Sequence, residues 1–461
     1  MRRQLGGRAI VIGGSIAGLL AARALSDHFA EIVILERDPL GSDSRGRKGT
    51  PHAGHTHGLL AGGLQQLERL LPGTREELLS GGAESGDLLG DTYWFVHGGA
   101  HIDFTSGLAG SLQSRAFLEQ LVRERVLRLP TVTLRDQVSV ERPTTDRTGR
   151  IVGVQLTDRR SGRGEVLSAD LVIDASGRGS RLPTWLAEMG YPAPQEERIG
   201  IDLGYATQIF RRRPDDFAGK LAVIITQVPP NRRMAVALAV EGQRWSLTLG
   251  GMGDDQPLIE PTAFRDFAEG LPSPLISQFL ATAEPLSDVQ RFRFPASTRR
   301  RYERLTRMPE GLLALGDSIC SFNPIYGQGM TVAAFEASLL DECLMAGTTG
   351  LPRRFFRRAA RLIDTAWQIS ATADFQFPEV RGRRPWSAGL LNRYMRQVHV
   401  AAHRDRDVAL AFHRVANLLD SPASLFHPRI LWRIVRGWFD RPPRARRASA
   451  TSQICRRAWN G

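Results

Sequence analysis

Lysine is almost missing from this chain: of 61 lysines and arginines, only Lys48 and Lys220 are lysine. The formal charge of +13 is therefore an arginine charge, and it is uneven. Arg429, Arg433, Arg436, Arg441, Arg444, Arg446, Arg447, Arg456 and Arg457 crowd the end. That pattern reads as a basic tail, not as a nucleic-acid surface spread over a fold. Cysteine is scarce too. Cys320, Cys343 and Cys455 are too few and too scattered for a disulfide framework or a metal motif, which fits a reducing cytoplasm. No run approaches the ~18 apolar residues of a membrane span. The opening segment, Met1 to Gly7, is polar and lacks the apolar stretch of a secretory signal, so a cytoplasmic location is expected.

What is present is enough apolar sequence, 42% of 461 residues, for a large core and two or three domains. Ala9 to Ile12 is a short run rich in β-branched residues, followed by Gly13-Gly14-Ser15-Ile16-Ala17-Gly18 and the alanine- and leucine-rich Leu19 to Leu25. This reads as strand, tight turn and helix. A second apolar run, Glu31 to Leu35, ends in Glu36-Arg37, and Glu36 lies 18 residues after Gly18. That is close to the offset of a ribose-binding carboxylate. In such a unit Gly13 permits the turn, Gly18 lets helix and strand approach, and N–H groups at the helix start receive a pyrophosphate. Ser15 departs from the pattern, which has glycine there. The unit alone does not separate FAD from NAD.

A second segment makes that distinction. Gly311 to Leu315 reads as a strand, Gly316-Asp317-Ser318 through Asn323-Pro324-Ile325-Tyr326-Gly327-Gln328-Gly329-Met330 as a loop, and the residues beyond as a long helix. A strand-end aspartate can accept a sugar hydroxyl, and Gly327 and Gly329 let a flat ring lie against backbone. The run resembles the Gly-Asp motif of group A flavoprotein monooxygenases, the family of p-hydroxybenzoate hydroxylase and squalene epoxidase. It looks most like the flavin epoxidases of bacterial polyether pathways and related natural-product monooxygenases. Ser114-Arg115 at the head of a helix to Leu129, the segment Ala169 to Arg181, and the loop Arg47 to His57 are similar to further parts of that pattern.

The resemblance implies FAD held by Gly13, Gly14, Ser15, Ile16, Ala17, Gly18, Glu36, Arg37, Arg115, Asp317, Pro324, Gly327, Gly329 and Met330. It implies insertion of one oxygen atom from O2 into a small lipophilic substrate by a flavin C4a-hydroperoxide. NAD(P)H is the implied reductant, although Asp174 is followed by Ala175-Ser176-Gly177 where hydroxylases carry an Asp-Gly pair. A separate flavin or ferredoxin reductase is the alternative electron source. His52, His55 and His57 are expected to form a flavin-side loop, since no cysteine or carboxylate completes a metal set nearby. A flavin halogenase is disfavoured: there is no Trp-x-Trp-x-Ile-Pro motif, and neither lysine lies beyond the flavin site. A reductase of isoprenoid or polyketide substrates and a basic binding protein without catalysis are the remaining readings.

The expected fold is α/β, a Rossmann-like FAD-binding domain with an inserted antiparallel β-sheet substrate domain and a C-terminal helical region. The FAD-binding parts are 1–79, 105–190 and 291–346, the substrate parts 80–104 and 191–290, the helical region 347–440, and 441–461 a disordered basic tail. Trp94, Trp185 and Trp245 are expected on the substrate sheet, as pocket or core. His97, His101 and Tyr205 are candidates for the substrate side, and no residue is named as catalytic. Residues 352–375 and 389–419 read as helices. Ile430 to Phe439 is amphipathic and basic, suited either to capping the fold or to lying on an anionic membrane.

Overall fold

The first strand, β1 (Gly6–Ile12), gives up alternation in its second half: Ala9, Ile10, Val11 and Ile12 are all buried. That is the signature of a parallel strand covered on both faces. The computed structural model describes residues 4–40 and 54–439, and β1 is the centre of its five-stranded parallel sheet. Lys48, His52 and the tail 441–461 with Cys455 lie outside the described residues. The sheet runs Leu312–Ala314 (β17), Leu171–Asp174 (β11), β1, Phe29–Leu35 (β2) and Val132–Arg135 (β7). Helix α1 (Ile16–Leu25) packs against α4 (Arg115–Leu127) and α8 (Gln328–Leu344). A three-stranded antiparallel sheet of Val138–Thr145 (β8), Ile151–Asp158 (β9) and Gly164–Ser168 (β10) lies alongside, followed by α5 (Leu182–Glu188).

The second large sheet has eight strands. In order they are Cys320–Ser321 (β18), Gln290–Arg300 (β16), Glu196–Arg211 (β12), Arg244–Met252 (β15), Met234–Val240 (β14), Ala222–Ile225 (β13), Thr92–Val96 (β4) and Gly99–Ala100 (β5). The sequence suggests an antiparallel sheet, and one pair departs from that: β13 and β4 run parallel, Ala222 beside Thr92 through Ile225 beside Phe95. No turn joins these two strands, so nothing imposes hairpin geometry on them. The strands Glu84–Asp87 (β3) and Ala109–Leu112 (β6) pair separately. Helices α6 (Pro261–Glu269) and α7 (Leu275–Thr282) cover one face and enclose a core containing Phe210, Trp245, Phe264 and Ile276. Trp245 is thus a core residue, its indole donating to Asp216 at 2.9 Å.

The C-terminal helices are α9 (Leu351–Asp374), α10 (Ala388–Ala402), α11 (Arg406–Ala416) and α12 (Pro428–Phe439). The expected single helix over 389–419 is two helices. Asp405 breaks it, because its carboxylate accepts from the N–H groups of Asp407 and Val408 and starts α11. Ile430 and Ile434 of α12 enter a third core with Val398, Val408 and Phe412. These helices reach back to the start of the chain. Helix α2 (Ala61–Leu70), which precedes α3 (Thr74–Ser80), has Leu60 at its N-cap and no cap of its own. Asn417 supplies one, its side-chain oxygen accepting from Ala61 N–H at 3.1 Å and its carbonyl from Gly62 N–H at 3.0 Å. Among the described residues no helix is long and apolar enough to cross a membrane.

Candidate cofactor site

The chain between β1 and α1 turns back over the end of β11. Gly13 sits at φ +107°, and a Cβ there would lie 2.5 Å from the carbonyl oxygen of Ala175. A Cβ on Gly18 would lie 1.8 Å from the carbonyl oxygen of Gly13, so helix and strand meet where only glycine fits. The other end of the sheet approaches the same turn. Gly316, at φ +67°, leaves so little room that a Cβ would stand 2.7 Å from the Ala17 methyl. Two segments some three hundred residues apart in sequence therefore touch.

Between them lies a cavity of about 550 Å³. Of the residues singled out in sequence, Gly13, Ser15, Ile16, Ala17, Glu36, Arg37, Arg115, Asp317, Pro324, Gly327, Gly329 and Met330 line it. Gly14 and Gly18 stand behind the wall. Glu36 accepts from Gly14 N–H at 2.8 Å and from Asp38 N–H at 2.9 Å. The Gly14 N–H is thus satisfied within the protein. Ile16 and Ala17, at the start of α1, remain on the cavity wall.

Ser15 occupies the N-cap position of α1, yet its side chain does not cap the helix. Its hydroxyl donates to Glu119 at 2.7 Å and accepts from Arg115 at 3.0 Å. Glu119 is 2% exposed and also pairs with Arg115 at 3.6 Å and Arg123 at 3.2 Å. Arg115 is the first residue of α4, which Ser114 caps by accepting from Phe117 N–H. The substitution of serine for glycine thus ties the turn to α4 and fixes an arginine over the cavity.

Asp317 follows β17, and Gly329 is close enough that a Cβ would be 3.8 Å from its carboxylate. Burial raises the Asp317 carboxyl above its ordinary range, against the pull of Arg115 and Arg178. The loop after it is braced from below. Asp374, at the end of α9, accepts from Asn323 at 2.8 Å and from the Tyr326 hydroxyl at 2.9 Å. Glu336 of α8 accepts from Gly316 N–H at 2.6 Å. Burial pushes Asp374 up to about 7 and Glu336 up to about 8. The start of α8, with Gly327 at φ +64° before it, points its N-terminal dipole at the cavity wall.

Of the three histidines expected in a flavin-side loop, His55 and His57 are among the described residues. His57 lines the cavity; its Nδ1 donates to the His55 carbonyl at 2.8 Å, which leaves Nε2 facing Arg115 at 3.5 Å. Burial, and then Arg115, lower its pKa to about 3. His55 is held by Thr207 at 2.7 Å and set edge-on to Tyr205, while Thr56 bonds Ser246. The loop is therefore pinned to the eight-stranded sheet. Tyr205 reaches the cavity, as do Phe292, Phe294 and Arg178, whose guanidinium lies 4.4 Å over the Phe294 ring.

Other candidates are elsewhere. His97 and His101 do not reach the cavity. They join His399, His403 and His413 under Trp94, with His101 bonding His413 at 3.1 Å and His399 at 3.2 Å. Trp185 belongs to α5, not to the sheet, and lines the cavity with Val138 to Glu141, donating to the Glu141 carbonyl. Lys220, the one lysine among the described residues, bonds Asp103 and the Gly90 carbonyl and does not line the cavity.

No family model matches the chain. It is 34% identical over 435 residues to Protein Rv3254 of Mycobacterium tuberculosis (strain ATCC 25618 / H37Rv), covering 90% of each chain. It is 25% identical over 404 residues to the FAD-dependent monooxygenase dpchE of Colletotrichum higginsianum, covering 79% of this chain and 80% of that one. Among solved structures, a flavoprotein/dehydrogenase from Cytophaga hutchinsonii superposes with TM-score 0.69 at 14% identity over 95% of this chain and all of that one. The flavin-dependent brominase Bmp2 gives 0.67 at 15% over 94% and 99%. The p-nitrophenol 4-monooxygenase PnpA of Pseudomonas putida gives 0.64 at 16% over 92% and 100%. The architecture is the Rossmann-like fold shared by these flavin enzymes, with its second sheet and C-terminal helices. Their names span three chemistries, so the fold alone does not assign a reaction.

Proposed function

The chain belongs to the family of Protein Rv3254, and from its bipartite cavity and its likeness to the monooxygenase dpchE we propose that it is an FAD-dependent monooxygenase. Its substrate is a lipophilic natural-product intermediate, either an alkene to be epoxidised or an electron-rich ring to be hydroxylated. The observation that carries the reading is the contact of Gly316 with Ala17. It joins a dinucleotide fingerprint to the Asp317 loop around one cavity of the volume usual for cofactor sites.

The residues present fit FAD. Glu36 lines the cavity and would accept from the adenosine ribose, and the start of α1 with Arg115 would meet the pyrophosphate. Asp317 would accept from the ribityl hydroxyls. When bound, FAD would supply the redox chemistry, in which one oxygen atom of O2 goes to the substrate and the other leaves as water, with two electrons from NAD(P)H or a separate flavin or ferredoxin reductase. The chain's own work is positioning. The dipole of α8 favours negative charge beside Gly327 to Gly329, and Asp374 holds the loop that carries it. Tyr205, Phe292 and Phe294 supply an aromatic wall that suits an apolar substrate and keeps water away.

The test is oxygen. Purified protein should be yellow or take up FAD, and should consume O2 in proportion to product that carries one labelled atom. Anaerobic turnover would replace this reading with a reductase or dehydrogenase. Colourless protein that takes up no FAD would leave only a binding role.

A further inference from the structure

We propose that α12, the turn Pro422–Phe426 before it and the head of α10 form a docking face for an anionic lipid surface. Ile430 and Ile434 already satisfy the need of α12 for a buried stripe. A second apolar set on the same helix has no such cover among the described residues: Leu431, Trp432 and Val435 are exposed, Trp432 at 58%. The exposure continues next door. Tyr394 stacks on half-exposed Phe426 at 4.7 Å, and Leu390, one helical turn before Tyr394, is 71% exposed. Trp386, just before α10, is 94% exposed. Isolated exposed apolar residues are ordinary, but two tryptophans and four further large apolar side chains on adjoining elements are not.

Charge identifies the occupant. Arg429 and Arg433 are neutralised by Asp407 and Asp405. Arg436 lies over the Trp432 ring at 5.2 Å, the arrangement of an amphipathic helix whose basic groups flank its apolar face. The sequence after Phe439 then adds Arg441, Arg444, Arg446, Arg447, Arg456 and Arg457 against the single acid Asp440. A second copy of this chain docking by a two-fold axis would bring like arginines together. An anionic bilayer meets both features at once, taking the apolar side chains at its interface and attracting each arginine within a Debye length. The proposal is independent of the oxygen chemistry.

The experiment is co-sedimentation of the full chain with vesicles of equal parts phosphatidylglycerol and phosphatidylcholine, and with phosphatidylcholine alone, at low and high salt. Binding to the anionic vesicles only, weakened severalfold by salt, is expected. Replacing Leu431 and Trp432 together with serine should weaken it about tenfold, from the lost apolar transfer. Both are solvent-facing, and an unchanged melting temperature will show that the fold persists. Equal binding to neutral vesicles, or undiminished binding by the L431S/W432S chain, overturns the proposal. So does a concentration-dependent dimer that the double substitution dissolves, since the face would then be a self-interface.

Discussion

The Ser15 hydroxyl donates a hydrogen bond to Glu119 across 2.7 Å, at the position where a dinucleotide turn ordinarily has no side chain at all. The bond ties the turn to α4, and with it Arg115 and Arg123 share one buried carboxylate. Glu119→Gln is expected to cost about 3 kcal/mol of stability, because two buried arginines then lose the carboxylate they share. Ser15→Gly should cost less, about 2 kcal/mol for the two hydrogen bonds its hydroxyl makes, and should keep FAD uptake. Denaturant unfolding of the two variants checks the order; equal losses would mean that Glu119 does not organise the arginines.

Asp317→Ala should abolish stable FAD uptake, read as loss of the yellow protein and at least a tenfold weaker affinity in a fluorescence titration. Asp317→Asn should fall between, since an amide oxygen still accepts a hydroxyl. Wild-type affinity in the alanine variant would remove this residue from the cofactor site.

The histidine cluster predicts an acid limb in the stability profile. Burial lowers His97 and His413 to about 4 and His399 to about 3, and moves His101 and His403 the same way. Arg396 and Arg404 add to the effect, and Asp87 opposes it at His413. Each imidazole binds a proton more readily in the unfolded chain. Their contribution is therefore complete above the ordinary value of 6.5 and is lost as pH falls toward 4. A melting-temperature series should drop steeply below pH ~6.5, and His101→Phe should flatten it. An unchanged slope in that variant would place the acid sensitivity elsewhere.

The buried acids predict the opposite limb. Asp374 and Glu336 hold their protons to about 7 and 8 in the folded chain, against 3.8 and 4.5 ordinarily. Stability from these groups is full below those ordinary values and is lost as pH rises through 7 and 8. Asp374→Asn and Glu336→Gln keep an accepting oxygen for their partners. They should therefore gain on the wild type as pH rises from about 5 to about 9, in paired urea titrations.

The first half of the candidate site was legible because its geometry is written in composition: an apolar strand, glycines at a sterically closed turn, then a carboxylate after the second strand. Asp317 was legible for a similar reason. The rest depends on register and distance. Tyr205 and Phe292 are neighbours only because β12 and β16 pair residue for residue there. Glu119 lies one helical turn after Arg115 and one before Arg123, a spacing that reads as a surface ion pair until α1 covers it. The break at Asp405 could have been found, since an aspartate before an apolar periodic run is a helix start. The histidine cluster could not, because its members come from a strand edge and two helices some three hundred residues later.

The cap that Asn417 places on α2 has a consequence for anyone recombining this chain with its relatives. A crossover after α8 would preserve every glycine of the two fingerprints and still transplant a foreign residue 374 beneath the loop and a foreign residue 417 onto the head of α2. The C-terminal third is not an interchangeable cassette. A chimera that keeps its colour will be one in which both of those positions travel with the loop and helix they serve.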